Sequence, residues 1–451
     1  MFRFFCFFAV LAVDAVAKIR YNVSRQRIHS STISLRKGVG IVNKQLRADA
    51  DKIVSAAIRA VQPDEAVNRA LSHLNFHGRL YLVAAGKAAW QMAKVAVDTL
   101  GSAVISGVVI TKYNHVMGHL ENIDCYEAGH PVPDEHSFQA TQAVLNLVTD
   151  LTPSDTVLFL LSGGGSALFE KPLVSGEELQ SITSQLLACG ADIIEMNTIR
   201  KRLSHVKGGR FAQLCAPAQV FTIVLSDILG DPLDMIASGP AYPDSSTCEQ
   251  ALEIVQRYQL KLSNAALECL HTETPKVLDN VATHITGSVR ELCAAAATAC
   301  REQGYEPLLL TDRLCCEARE AGSFIGAMVQ TYASSPVKRA LIAGGETIVH
   351  LTGPGLGGRN QELALAAAPL INAIDRAAVF SVGSDGTDGP TDAAGGYVDG
   401  DTCRTLAHQG ISIYDVLQQN DAYHALKKCD GLIVTGPTGT NVNDVSIALI
   451  N

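Results

Sequence analysis

Five glycine-bearing segments of this chain each follow an apolar run: Gly86-Lys87, Ser162-Gly163-Gly164-Gly165-Ser166, Gly344-Gly345-Glu346, residues 383–396 (GSDGTDGPTDAAGG) and residues 436–444 (GPTGTNVND). Glycine after a strand permits positive φ and lets an anion approach backbone N–H groups. Each segment alone fits an ordinary turn as well as a binding loop. In a wound sheet, however, loops at strand carboxyl ends converge on one crevice, so several can share a site. Lys87 follows the first of these glycines. Arg359 ends the stretch GPGLGGR, just before a helix that opens Asn360-Gln361-Glu362. A cation at the positive end of a helix is costly unless an anion shares the place, either a ligand's phosphoryl or carboxylate group or a neighbouring Asp or Glu. Lys207, beside Gly208-Gly209, is a third candidate, whereas Arg200, Lys201, Arg202 and Arg210 fit a solvated helix face.

Asp385, Asp388 and Asp392 lie among glycines and a proline, where carboxylates can converge without interrupting a regular element. Hard oxygen donors at that density suit Mg²⁺, which uses one or two carboxylates and keeps waters and substrate phosphates; a plain Asp-Gly turn is the alternative. Asp227, at the end of an apolar run, could serve a metal or act as general base. Other chemistries lack their minimal parts. There is no Walker A sequence and no GxGxxG followed by an acidic residue at the next strand end; the 13 histidines show no HExxH, and no GxSxG elbow occurs.

The elements that must position these residues alternate. Apolar runs at Leu80–Ala85, Val104–Thr111, Asp155–Leu161 and Val220–Leu225 read as buried strands, interleaved with helix-period segments, which defines an α/β class. Ser175 and Glu178 predict a capping box ahead of Leu179, Ile182 and Leu186. A helix is expected around Val289–Ala299 and a strand at Pro307–Leu310. Ser334-Ser335-Pro336 then suggests a domain boundary. Beyond it, strands are expected at Arg339–Ala343, Thr347–Leu351, Ala378–Val382, Leu432–Thr435 and Val445–Ile450, with a helix at Asn360–Ile371. The 451 residues suffice for two such domains, 49–334 and 335–451.

Net charge is −9, and the first 48 residues hold nine Lys/Arg against the single Asp14, so the body is more acidic than the whole. That field disfavours nucleic acid and leaves local cations to hold any anionic substrate. Residues 1–48 read as a leader. Their apolar run at 4–13 is too short to span a membrane. Twelve scattered cysteines without a CxxC pair suit a reducing compartment, cytoplasmic or mitochondrial, ahead of a secretory signal over residues 1–17.

Five ordered motifs together, GKAA at 86–89, LSGGGSA at 161–167, GRNQE at 358–362, SDGTDGPTD at 384–392 and GPTGTNVND at 436–444, resemble the glycerate kinase family whose carboxyl-terminal part is the MOFRL domain. The resemblance covers residues 49–451. It implies two α/β domains, the first a Rossmann-like three-layer α/β/α sandwich, with the site in the cleft between them. It also implies ATP-dependent phosphorylation of D-glycerate at the 2-hydroxyl, giving 2-phosphoglycerate and ADP. Lys87 and Arg359 match the family's two cationic active-site positions.

The remaining roles are expectations from the residues. Asp227 accepts the substrate proton, and Asp385 and Asp388 hold Mg²⁺. Ser162, Gly163, Gly164, Gly165, Ser166, Lys207, Glu346, Asn360, Thr438 and Asn441 contact substrate or phosphate. Two rival readings are an NAD(P)H-dependent hydroxypyruvate reductase, against which the lack of a GxGxxG followed by an acidic residue at the next strand end counts, and a non-catalytic nucleotide or sugar-acid binding protein. Partners are small molecules, with no nucleic acid and no membrane span.

Overall fold

The computed structural model describes residues 36–76 and 78–451, with side chains from residue 44 onward. Two six-stranded sheets organise them. The first is wholly parallel, from β1 (Leu80–Ala85), β2 (Val104–Lys112), β3 (Ile123–Ala128), β4 (Thr156–Leu161), β5 (Gln219–Leu225) and β6 (Val281–Gly287), in the order β3-β2-β1-β4-β5-β6. Parallel strands covered on both faces need continuous apolar sequence, and the TVLFLL of β4 is buried at every position. One face packs against the helices Pro63–Leu71 and Ala89–Leu100, the other against Glu135–Leu147 and Arg210–Cys215. Strand order reverses between β1 and β4, so the loops leaving them splay to opposite faces and open a crevice.

The second sheet is mixed: β7 (Glu306–Leu314), β8 (Arg339–Gly345), β9 (Ala377–Gly383), β10 (Gly395–Asp399), β11 (Leu432–Ile433) and β12 (Asp444–Ile450), in the order β11-β10-β9-β12-β8-β7. Because β12 runs antiparallel to both neighbours, Asp444 lies opposite Gly345 and Gly383. The carboxyl ends of β8 and β9 and the start of β12 therefore meet at one edge. Helices Arg36–Ala60 and Val289–Glu302 cover one face through Ile53, Ala57, Leu292 and Phe380; Ala318–Tyr332 and Arg359–Ile371 cover the other.

These memberships shift the expected boundaries. β7 hydrogen-bonds to β8, so 334/335 falls inside the body of the second sheet, where Ser334-Ser335-Pro336 forms the turn after a covering helix. The expected leader also runs too far: Leu46, on the helix Arg36–Ala60, is fully buried in the core. The targeting expectations for residues 1–35 lie outside the described residues. Among the described residues, no helix is long and apolar enough to cross a membrane.

The α/β class and most strands agree with expectation, with differences of local chemistry. Ser175 caps its helix by accepting from the Glu178 N–H, but the Glu178 carboxylate reaches Ser263 instead of closing the box. Thr347–Leu351 is not a strand: Ile348 makes a single bridge to Glu317, and the run forms a cavity lip. Pairing in the expected Leu432–Thr435 strand stops at Ile433.

The helices Ala318–Tyr332 and Arg359–Ile371 cross at Gly322, where a Cβ would lie 2.0 Å from the Leu363 carbonyl oxygen. Gly322→Ala forces the helices apart, and overpacking of this kind costs about 1–3 kcal/mol. Urea unfolding is expected to show a lower midpoint with an unchanged slope; an unmoved midpoint contradicts that contact.

Candidate active site

The first sheet supplies one half of the site at its switch point. Gly86, at φ 131°, turns the chain out of β1. The Lys87 N–H then donates to the Gly163 carbonyl at 2.9 Å, and the Ala88 N–H donates to the Ser162 Oγ at 3.0 Å. Lys87 thus stands just before the helix Ala89–Leu100, beside the glycine loop that leaves β4. Asp227 arrives from the end of β5. The packing is so close that a Cβ on Gly163 would lie 2.1 Å from Asp227 Oδ2, and one on Gly164 would lie 3.2 Å from Lys87 Cγ. A cavity of about 250 Å³ opens here, lined by His130, Gly163, Gly164, Ser166, Arg200 and Asp227 among others.

The second sheet supplies the other half. Arg359 is the first residue of its helix, and its guanidinium binds both oxygens of Asp444, at 2.5 and 3.0 Å, with Glu346 3.5 Å away. Of the two expectations for this cation, pairing with a neighbouring acid is what the geometry shows. Burial works against the charge, but Asp444 and Glu346 more than offset it and hold the Arg359 pKa above its ordinary value. A cavity of about 710 Å³ lies alongside, lined by Arg359, Glu346, Leu229, Ile348, Val349 and Leu351 among others.

Asp227 links the halves. Burial raises its pKa, the nearby Lys87 ammonium lowers it, and the Glu346 carboxylate raises it again. Lys87 and Arg359 therefore bracket a pair of carboxylates, Asp227 and Glu346, drawn one from each sheet. Their loops are distant in sequence and meet here.

Several expected ligand contacts are used up inside the protein. The Ser162 hydroxyl is buried and spent on the Ala88 amide. Gly165 packs against Ala237, which lines the cavity, and does not itself line it. Ser166 lines the cavity, with its hydroxyl 3.3 Å from that of Ser238. Lys207 is fully buried, donating to the carbonyls of Ser166 and Phe169 and paired with Glu170 at 3.4 Å, so it braces the glycine loop from behind. Burial, partly offset by Glu170, pulls its pKa down to about 8. Asn360 is also buried, with its side chain on Asp388 and Ser381. The Thr438 hydroxyl donates to the Ser384 carbonyl, and Asn441 accepts from the Asn443 N–H, so both tie loops together.

Asp388 does not fit the expected metal role. Its carboxylate accepts from the N–H groups of Asn360 (3.1 Å) and Gln361 (2.8 Å), capping the helix from a separate loop. Burial pushes its pKa up to about 6 in spite of those amides. Asp385 is half-buried, and among the described residues its carboxylate accepts only from the Thr387 N–H, through Oδ1. Among the described residues, no group of three or more His, Cys, Asp or Glu could by itself hold a metal.

Two contributors escaped the sequence reading. His130 enters from the end of β3 with no motif to mark it. The basic run is not a solvated face: Lys201 and Arg202 are buried with Asp244, while Arg200 reaches the cavity. The one available signal was the helical offset separating Arg200 from its neighbours.

Residues 49–271 match the family described as a domain of unknown function (DUF4147), and residues 339–444 match the MOFRL family. A Thermotoga maritima protein named D-glycerate 2-kinase is 53% identical, over 90% of this chain and 99% of that protein. A crystal structure titled glycerate kinase, also from Thermotoga maritima, superposes with a TM-score of 0.88 at 52% identity, covering 90% of this chain and 100% of that one. An Agrobacterium vitis protein, 40% identical over 83% of this chain and 100% of its own length, bears a hydroxypyruvate reductase name that is itself provisional. The chain belongs to the glycerate kinase family.

Ionisation of Asp388 opposes folding because its folded pKa lies above the ordinary carboxylate value. Its stabilising effect is therefore full below about pH 4 and is lost as pH rises through 6. Asp388→Asn keeps an acceptor for the helix and is expected to remove that pH dependence from thermal melts. Asp388→Ala, lacking a cap, is expected to cost about 1–2 kcal/mol. A variant Asn protein that melts with the parent's pH profile overturns this assignment.

Proposed function

We propose that the protein is an ATP-dependent glycerate 2-kinase, transferring the γ-phosphoryl group of ATP to the 2-hydroxyl of D-glycerate to give 2-phosphoglycerate and ADP. The observation that carries this reading is the bracket of Lys87 and Arg359 around Asp227 and Glu346, formed where the two sheets present their loops. The 53% identity to a D-glycerate 2-kinase supports the substrate.

Phosphoryl transfer needs alignment and charge neutralisation more than covalent help. Lys87 sits beside the glycine loop and opposite Asp227, where its ammonium can balance charge on the moving phosphoryl oxygens while the Gly163 and Gly164 backbone cradles them. Asp227 is placed to accept the proton of the acceptor hydroxyl, and its raised pKa brings it closer to a useful base than an exposed aspartate. Arg359, oriented by Asp444, faces the larger cavity, where the nucleotide fits. Mg²⁺ accompanying ATP would neutralise phosphate charge and can use one protein carboxylate. Of the two aspartates expected to hold it, only Asp385 suits that role, because it is half-buried with an oxygen that makes no hydrogen bond to the described residues.

A coupled assay for ADP with D-glycerate, ATP and Mg²⁺ tests the reading, with hydroxypyruvate and NADH as the rival pair. Glycerate-dependent ADP release is expected; NADH consumption without an ATP requirement overturns the kinase assignment. Lys87→Met and Arg359→Ala are each expected to lower kcat by about 10²–10³-fold, the scale of losing one transition-state contact.

Glu346 raises the Asp227 pKa, so Glu346→Gln is expected to move the acid limb of kcat/KM to lower pH. Asp227→Asn removes the limb along with the activity. An acid limb unmoved by the glutamine contradicts Asp227 as the base.

A further inference from the structure

The cavity at the switch point of the first sheet and the one beside Arg359 differ in size and lining, and two features of the first have no part in the transfer described above. One is Arg200. The helix Ile193–Arg202 carries it to the cavity wall, where it donates to the Ser166 carbonyl at 3.0 Å. Three of its basic neighbours are paired, Lys201 with Asp244 and Asp234, Arg202 with Glu273 and Asp244, and Lys207 with Glu170, while Arg210 donates to the carbonyls of Arg202 and Ser204 and lines a different cavity. Arg359 across the cleft has Asp444 and Glu346. Arg200 has no carboxylate within 4.0 Å among the described residues, although it lines a cavity that also contains Asp227.

The other feature is His130. Its ring packs on the glycine loop, where a Cβ on Gly164 would lie 3.0 Å from His130 Cδ2. Burial, and then the charges of Lys87 and Lys112, lower its pKa, which leaves a neutral imidazole able to exchange a hydrogen bond with a hydroxyl.

The cavity volumes separate the two substrates. About 250 Å³ is below the roughly 300–1,000 Å³ of pockets that accept drug-sized molecules, yet ample for a three-carbon acid. The 710 Å³ cavity has the room and the apolar lining, through Leu229, Ile348, Val349 and Leu351, that a nucleoside requires.

We propose that the switch-point cavity is the acceptor site, in which Arg200 binds the carboxylate of the three-carbon acid and His130 holds its terminal hydroxyl, leaving the 2-hydroxyl at Asp227. This rests on the reading of the protein as a glycerate kinase. It leaves Lys87 to the phosphoryl group. A planar guanidinium matches a carboxylate through two parallel hydrogen bonds, so Arg200 is a specificity residue for acids over the corresponding amides or alcohols.

The test uses the full chain with Arg200→Ala, Arg200→Lys and His130→Ala, assayed on D-glycerate and on glyceramide. Arg200→Ala is expected to raise KM for glycerate about 10- to 100-fold while KM for ATP stays within about twofold, as loss of one charge-assisted contact predicts. Arg200→Lys, which keeps the charge and can still reach the Ser166 carbonyl, is expected to fall between. Glyceramide is expected to be a poor substrate for the parent and no worse for Arg200→Ala. His130→Ala is expected to raise KM for glycerate and leave KM for ATP unchanged. An unchanged glycerate KM in Arg200→Ala, equal rises in both KM values, or preserved discrimination against glyceramide overturns the assignment.

Calorimetric titration with D-glycerate alone gives an independent answer. Binding by the parent that weakens in Arg200→Ala supports the site even if ADP release fails to appear, in which case only the kinase reading falls. No binding by the parent, or equal binding by the variant, rejects the site.

Discussion

The close apposition of the loops leaving β1, β4 and β5 is the constraint on which the rest of the site depends. Gly86 and Gly163 occupy positions where a single added carbon would collide with Ser162 or Asp227. Only a chain without side chains at those points can bring a cation, a row of backbone amides and a carboxylate within reach of one small anion. The parallel sheet makes that approach possible, since its strand order reverses at the gap from which two of the loops emerge. Buried Lys207 fixes the geometry from beneath by holding the carbonyls at the far end of the glycine loop.

The second body solves a different electrostatic problem. A guanidinium at the amino terminus of a helix opposes the helix dipole, and Asp388 and Asp444 answer that opposition separately. Asp388 satisfies the free amides of the first turn, while Asp444 holds the guanidinium itself. Antiparallel β12 is what makes the second contact available, by presenting its first residue at the same edge as the last residues of β8 and β9. A fixed, fully ionised arginine results, and its orientation is set before any ligand arrives.

Much of this was legible in the sequence, and the reasons differ by residue. Buried parallel strands announce themselves as continuous apolar runs, so β1, β4 and β5 were evident, and the glycines that end them marked the loops. Lys87 and Arg359 stood out because an acidic chain isolates its cations beside glycine. What the sequence could not reveal was direction. Ser162, Lys207, Asn360 and Asp388 have the right chemistry for a ligand, but each turns inward, Ser162, Lys207 and Asp388 to backbone groups of the loops and helix they support and Asn360 to the side chains of Asp388 and Ser381. Arg200 was hidden by the opposite effect: one residue in a basic run faces the cavity while its neighbours are buried in ion pairs, a distinction of helical phase and distant acids. β10, short and opening on two glycines, lacks the apolar length that made β1, β4 and β5 readable.

The chain enters the first sheet's body after Arg36–Ala60 and returns from it at Ser288, directly ahead of Val289–Glu302, and those two helices pack side by side on the second sheet. The body containing Lys87 is thus tethered to the one containing Arg359 by a pair of neighbouring strands of backbone, like a door hung on two pins. Such a mounting resists twisting and sliding and leaves one easy axis of rotation, so any swing that admits substrates must bring the same side chains back into register when it reverses.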